Sequence, residues 1–235
     1  MKPAPRAKPF SWSYSKLKNF ETCPRRHQQV DLLKNFKEEE SHALQWGNQL
    51  HDAMAKRIAR GKELPITMKR YEPWAAGFAK LSLTPSKWIT THTEMKLAIA
   101  DDMDPVDFFD RAAWYRCVVD VLVVVPVHRV AIALDWKTGK ILEDFSQLAL
   151  TAQVVFAHYP EVEQVASIYA WLGDDAKTVH IHERSKSVEV WNGIWPRLEL
   201  MKEAHATNSY PPTPSGLCIK YCPVTSCQFH GKGSY

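Results

Sequence analysis

No apolar run in this chain of 235 residues approaches the roughly 20 that a membrane span requires, so no membrane role is expected. The N-terminal Met1-Lys2-Pro3-Ala4-Pro5-Arg6 lacks the apolar stretch of a secretory signal, and the expected compartment is cytoplasmic. Cysteine is scarce, odd in number and clustered. Five thiols, three of them between residues 218 and 227, do not make the paired framework of a small secreted domain. They suit a metal or cluster site in a reducing compartment. There is no internal repeat, which excludes solenoids and propellers. What remains is ordinary for a soluble globular protein, 45% hydrophobic and 24% charged, with room for one sizeable domain and appendages.

Acidic residues are nearly missing from one region. Residues 1–37 hold nine Lys/Arg against Glu21 and Asp31, a surplus of seven that exceeds the +4 of the whole chain. A basic segment suits a polyanion such as nucleic acid, and it equally suits a solvated tail. The reverse holds in Asp101 to Asp110, where five aspartates around Pro105 read as a solvated loop.

The most telling stretch is Leu134-Asp135-Trp136-Lys137-Thr138-Gly139 together with Asp120. Two apolar runs, Tyr115 to Val125 and Val130 to Trp136, flank Pro126-Val127-His128-Arg129, which reads as a hairpin turn. If Val125 pairs with Val130, counting back sets Asp120 opposite Asp135, with Cβ atoms about 5 Å apart. Lys137, two residues on, points to the same face. A DxK tripeptide alone is common surface decoration. Asp120 is the stronger signal, because a lone carboxylate among valines is costly to bury without a partner. Two such carboxylates need a cation between them, or one must stay protonated. A divalent metal is the natural cation for oxygen ligands.

Around the hairpin the patterning predicts helices near Ser15 to Phe20 and onward from Pro24 toward Phe36. Further helices are predicted over Glu38 to Arg60, Tyr71 to Leu81, Phe145 to His158 and Val188 to Ala206. The Glu38 to Arg60 helix shows an apolar stripe of Leu44, Leu50, Met54 and Ile58. Strands are predicted over Trp88 to Ile99, Val165 to Leu172 and Thr178 to Glu183. Pro211-Pro212-Thr213-Pro214 reads as a rigid linker. The alternation gives an α/β fold, helices around a mixed sheet. The domain expectation is a flexible basic tail over 1–10, a main domain over 11–210 and a Cys-rich segment over 211–235.

The order Gly47-x-x-x-His51, Glu94, Asp120, Asp135-x-Lys137-Thr138-Gly139, Gln147-Leu148 resembles the RecB-like branch of the PD-(D/E)XK nucleases. That branch includes phage-type exonucleases and CRISPR-associated nucleases. The opening Ser13-x-Ser15-x-Leu17-x-x-Phe20-x-x-Cys23-Pro24 also resembles the branch's N-terminal signature. The resemblance implies a restriction-endonuclease-like core with a central mixed sheet, an N-terminal helical part and a Cys-rich C-terminus. It implies Mg²⁺ or Mn²⁺ held by His51, Asp120, Asp135 and the Trp136 carbonyl. Lys137 would be the catalytic lysine and Gln147 would steady the site. Glu94 matches an acidic position on the strand before the hairpin. Two departures stand out: Thr151 occupies a place where relatives often carry tyrosine, and Arg116-Cys117-Val118-Val119 lacks a glycine often found there. Cys117 itself reads as packing.

Some relatives tie one N-terminal and three C-terminal cysteines through a [4Fe–4S] cluster. The matching residues are Cys23, Cys218, Cys222 and Cys227, with x3 and x4 spacings where x2 and x5 are usual. A structural Zn²⁺ on Cys218, Cys222, Cys227 and either Cys23 or His230 is equally legal by ligand type. Free thiols are the third reading. The expected function is a divalent-metal-dependent DNA exonuclease acting on linear single- or double-stranded DNA, in phage or bacterial recombination, with a recombination protein as a further partner. The cell would be bacterial or phage-infected. The alternatives are an inactive DNA-binding module of the same fold, or a structure-specific endonuclease such as a junction resolvase or a DNA-end trimmer. Nine tryptophans offer surfaces for stacking bases, though tryptophan is mostly a core residue.

Overall fold

The computed structural model describes residues 10–38, 41–141 and 144–232. The expected basic tail, Phe10 apart, and residues 39 and 40 of the expected third helix lie outside them. In chain order the helices are α1 (Tyr14–Thr22), α2 (Pro24–Arg26), α3 (His42–Arg60), α4 (Glu72–Leu83), α5 (Ser146–His158), α6 (Ser187–Thr207) and α7 (Leu217–Lys220). The strands are β1 (Thr90–Ile99), β2 (Pro105–Val106), β3 (Tyr115–Val125), β4 (Val130–Lys137), β5 (Gln164–Trp171) and β6 (Ala176–Glu183). The chain divides into two compact units, residues 42–190 and the two chain ends, 1–41 with 191–235.

The 42–190 unit is built on one mixed sheet of order β2-β1-β3-β4-β5-β6. Only β4 and β5 run parallel; the other neighbours are antiparallel. A parallel pair needs a crossover, and α5 supplies it. The β-branched run of β3 is buried from Val119 to Val124 because both faces of this central strand are covered. On one face Val121, Val123, Leu134 and Trp136 pack with Leu50, Met54 and Ile58 of α3 and Ala75 and Ala79 of α4. On the other, Leu148 of α5 packs with Tyr169 and Trp171 of β5. This is the helix-flanked mixed sheet expected from the patterning.

Three expectations need correction. Leu44 does not belong to the α3 stripe; it is 49% exposed, whereas Leu50, Met54 and Ile58 are fully buried. Six residues before Leu50, Leu44 falls about 120° round the helix from it, off the four-residue spacing that Leu50, Met54 and Ile58 share. The acidic loop is not all loop, because β2 inside it pairs with β1 through Ala98 and Val106. Pro105 sits in that edge strand, where a missing N–H is tolerated. The helix expected from Pro24 toward Phe36 stops at Leu32, with α2 passing into a π-helical stretch over His27–Leu32.

In the unit made from the chain ends, Ser13 caps α1 by accepting from the Lys16 N–H. Glu21 of α1 forms a two-pronged ion pair with Arg197 of α6, at 2.6 and 3.0 Å. His27 is fully buried, with Nδ1 2.8 Å from Asp31 Oδ2. Asn19 donates to both oxygens of the same Asp31; burial would raise the Asp31 pKa, but the hydrogen bond from His27, then those from Asn19, hold it below the usual value. Pro196 lies inside α6.

Candidate active site

The hairpin register is Val125↔Val130 through Val121↔Leu134. The ladder then stops. The next pair would be Asp120 and Asp135, and the strands part there: the Trp136 N–H donates to the Asp120 side chain, Oδ2 at 2.7 Å, instead of to backbone. The β1–β3 ladder breaks at the same level. Thr93↔Val121 and Met95↔Val119 are paired, and between them Glu94, in line with Asp120, takes a left-handed backbone at φ 49°. A non-glycine residue there costs of order 1–3 kcal/mol, a strain characteristic of functional sites. Three acidic residues thus sit in one row across β1, β3 and β4, where the sheet opens. Tyr169 of β5 continues the row, in register with Asp135.

His51 reaches the opening from α3. Its Nδ1 is 3.3 Å from Asp120 Oδ2 and its Nε2 is 3.0 Å from the Trp136 carbonyl. Donor atoms of His51, Glu94 and Asp120 all lie within 4.8 Å of one another, a set that could hold a metal ion. Asp135 is not in that set. Its Oδ2 is 2.7 Å from Lys137 Nζ and its Oδ1 accepts from Gln147 Nε2 at 2.9 Å. Lys137 also donates to Gln147 Oε1 at 3.1 Å. The two halves of the site are therefore a carboxylate–imidazole group and, beside it, an Asp135–Lys137–Gln147 triangle. Trp136 links them, its N–H and carbonyl bonded to Asp120 and His51.

The electrostatics show a place prepared for positive charge. Burial alone would lower the His51 pKa, but its hydrogen bond to Asp120 and the fields of Asp120, Asp135 and Glu94 raise it above the usual value. Burial, then the Asp120 charge, raise Glu94. Burial pushes Asp135 up most, to about 6, against the pull of Lys137. Carboxylates that resist ionising when crowded and buried are what a divalent ion would relieve, releasing protons as it binds.

Sequence reasoning had no signal for one neighbour, Tyr169. Tyr169 lies under Lys137 Nζ, 4.9 Å from the ring centroid, with its hydroxyl 3.4 Å from Gln147 Oε1. Gly47 of α3 comes so close to Thr138 that an added Cβ would be 3.3 Å from the threonine hydroxyl. Thr151, where relatives often carry tyrosine, is buried and donates back to the Gln147 carbonyl within α5. Cys117 lies within β3, opposite Leu97, and burial pushes its thiol up to about 12.

The cysteines belong to the other unit. Cys23, Cys218, Cys222 and Cys227 line one pocket with Arg25, Arg26 and His230. The Thr213 N–H points at Cys23 Sγ and the Ser215 N–H at Cys218 Sγ, each at 3.4 Å. Burial and the neighbouring Cys218 and Cys23 raise the Cys222 thiol. His230 Nδ1 is buried without a hydrogen-bond partner.

The site is thus a mixed sheet that opens at a row of carboxylates, with a lysine two residues past the last. The chain belongs to the PD-(D/E)XK nuclease superfamily, whose family model matches residues 11–227. Nucleases of this superfamily use divalent metals and act on DNA. Among solved structures, the chain is similar to a protein from Eubacterium rectale described as a "Putative exonuclease", at 13% identity and a TM-score of 0.49, covering 96% of this chain and 89% of that one. It is also similar to the protein SSO0001, at 12% identity and a TM-score of 0.40, covering 94% and 87%. No curated protein matches. No helix among the described residues is long and apolar enough to cross a membrane.

Proposed function

We propose that this chain is a divalent-metal-dependent DNA exonuclease of the RecB-like branch. The observation that carries the reading is the convergence of His51, Glu94 and Asp120 donors beside the Asp135–Lys137–Gln147 triangle. His51, Glu94 and Asp120 would hold Mg²⁺ or Mn²⁺, with Asp135 and the Trp136 carbonyl at the edge of the same site. The ion would supply charge neutralisation on the phosphate and a more acidic water. The chain's own groups do the rest. Gln147 orients Asp135 and Lys137 together, because one amide accepts from the lysine and donates to the aspartate. Lys137 faces the phosphate, offsets its charge and holds the attacking water in line. The water oxygen bonds to phosphorus and releases one proton to solvent as the bond to the leaving oxygen breaks, and the leaving oxygen takes up a proton from solvent, so that water is split between the two products.

Imidazole tolerates Mn²⁺ better than Mg²⁺, so His51 favours Mn²⁺. The test uses labelled linear and circular DNA, single- and double-stranded, with Mg²⁺, Mn²⁺ or a chelator. Metal-dependent loss of linear substrates alone supports the exonuclease. Nicking of circles makes it an endonuclease, and binding without cleavage makes it a DNA-holding module, ending the catalytic reading.

The same reading places a [4Fe–4S] cluster on Cys23, Cys218, Cys222 and Cys227. Four thiols lining one pocket, two receiving backbone N–H groups, support it. A structural Zn²⁺ on the same thiols, or on three of them with His230, is the competing reading. Brown protein with about four irons per chain supports the cluster, and one zinc per chain overturns it.

A further inference from the structure

We propose that Tyr169 is a positioning residue for Lys137, acting through the face of its ring. This rests on the nuclease reading for its kinetic consequence, while the contact itself stands on geometry alone.

Tyr169 is 3% exposed and lies on β5 opposite Asp135, so the sheet sets its position relative to β4. Its ring centroid is 4.9 Å from Lys137 Nζ, within cation–π range. An ammonium group has three N–H bonds. Gln147 Oε1, at 3.1 Å, takes one, while Asp135 Oδ2, at 2.7 Å, pairs with the charge without a hydrogen bond to it. The aromatic face closes the side toward β5 and turns the remaining N–H bonds toward the opening where the phosphate would arrive. Without the ring the four-carbon side chain keeps its partners but gains rotamers, and those N–H bonds lose their direction. The hydroxyl has a different task. It lies 3.4 Å from Gln147 Oε1 and 3.5 Å from the Asp144 carbonyl, and its one proton serves either acceptor at the start of α5. Gln147 is also held by Lys137 and Asp135, so the ring matters more than the hydroxyl.

Tyr169→Phe keeps the ring and Tyr169→Leu removes it. The expected result is cleavage within about 3-fold of wild type for Tyr169→Phe. For Tyr169→Leu, kcat falls about 10-fold, the equivalent of about 1.4 kcal/mol, while KM stays within about 2-fold. NMR supplies the readout that needs no activity. The Lys137 ε-methylene signals, identified by their loss in Lys137→Arg, are shifted upfield by the ring in wild type and Tyr169→Phe, and return to ordinary positions in Tyr169→Leu. Thermal melts of each variant separate positioning from packing. The proposal is overturned if Lys137 shows no ring shift in wild type. It is equally overturned if Tyr169→Leu cleaves normally, if Tyr169→Phe loses as much as Tyr169→Leu, or if the loss disappears on cooling in step with a lowered Tm. A wild-type protein that cleaves nothing but shows the ring shift ends the nuclease reading and leaves the contact standing.

Discussion

Replacing Asp120 by asparagine should separate the function of the site from the stability of the fold, with opposite signs. Asp120 is 7% exposed and accepts the Trp136 N–H at 2.7 Å. Asparagine keeps that acceptor and the shape but not the charge. Two charged carboxylates within 4.8 Å of each other repel by about 3 kcal/mol at an effective dielectric of about 20, and the neighbouring His51, whose pKa is raised, offsets part of this. Asp120→Asn should therefore raise the melting temperature of the metal-free protein by a few degrees, at about 2–4 °C per kcal/mol for a chain of this size. Asp120→Ala also strands the Trp136 N–H, which costs about 1–3 kcal/mol, and should melt lower than wild type. Both should lose cleavage by at least ~10²-fold. Both should also lose most of the rise in Tm that Mn²⁺ gives the wild type, since ligand-linked stability follows affinity. The assay is differential scanning with and without Mn²⁺, beside cleavage of linear DNA. If Asp120→Asn melts lower than wild type without metal, the carboxylate row is not strained. If it keeps the Mn²⁺ shift, Asp120 is not a ligand.

Other substitutions test other parts of the site. Lys137→Ala should reduce cleavage at least ~10²-fold while DNA binding in Ca²⁺ survives; loss of binding instead would make the lysine a substrate anchor. Gly47→Ala should be tolerated, because helix propensity gains about 1 kcal/mol while Thr138 need yield only slightly, whereas Gly47→Leu should lower cleavage by displacing Thr138 beside Lys137. Normal cleavage by Gly47→Leu would show that the close approach is incidental. Burial, then His180, lowers the His182 pKa below 6.5, so the unfolded chain takes up its proton first. Its contribution to stability should be complete above about pH 6.5 and decline as pH falls toward the folded value, and His182→Gln should flatten the loss of Tm between about pH 7 and 5. Cys23→Ser should lose iron and lower Tm while Mn²⁺ binding at His51 persists; unchanged iron would remove Cys23 from the cluster.

The hairpin and its carboxylates were legible because local rules govern them. Valine-rich runs around a Pro-containing turn set the register, and counting from Val125↔Val130 placed Asp120 level with Asp135 before any coordinates. The core face of α3 was legible from Leu50, Met54 and Ile58 by helical period, and Leu44, six residues before Leu50, falls outside their four-residue spacing and outside the face. Tertiary structure decided the rest. The opening of the sheet depends on Glu94 adopting a left-handed backbone, which nothing in Thr93-Glu94-Met95 announces. The grouping of His51 and Glu94 with Asp120, and of Asp135 with Lys137 and Gln147, depends on where α3 and α5 land on the sheet. Tyr169 was hidden for a related reason. An antiparallel hairpin fixes its own register through a short turn, but the parallel β4–β5 pair is joined through a whole helix, so the residue beneath Lys137 cannot be counted and is determined only when α5 and the sheet pack.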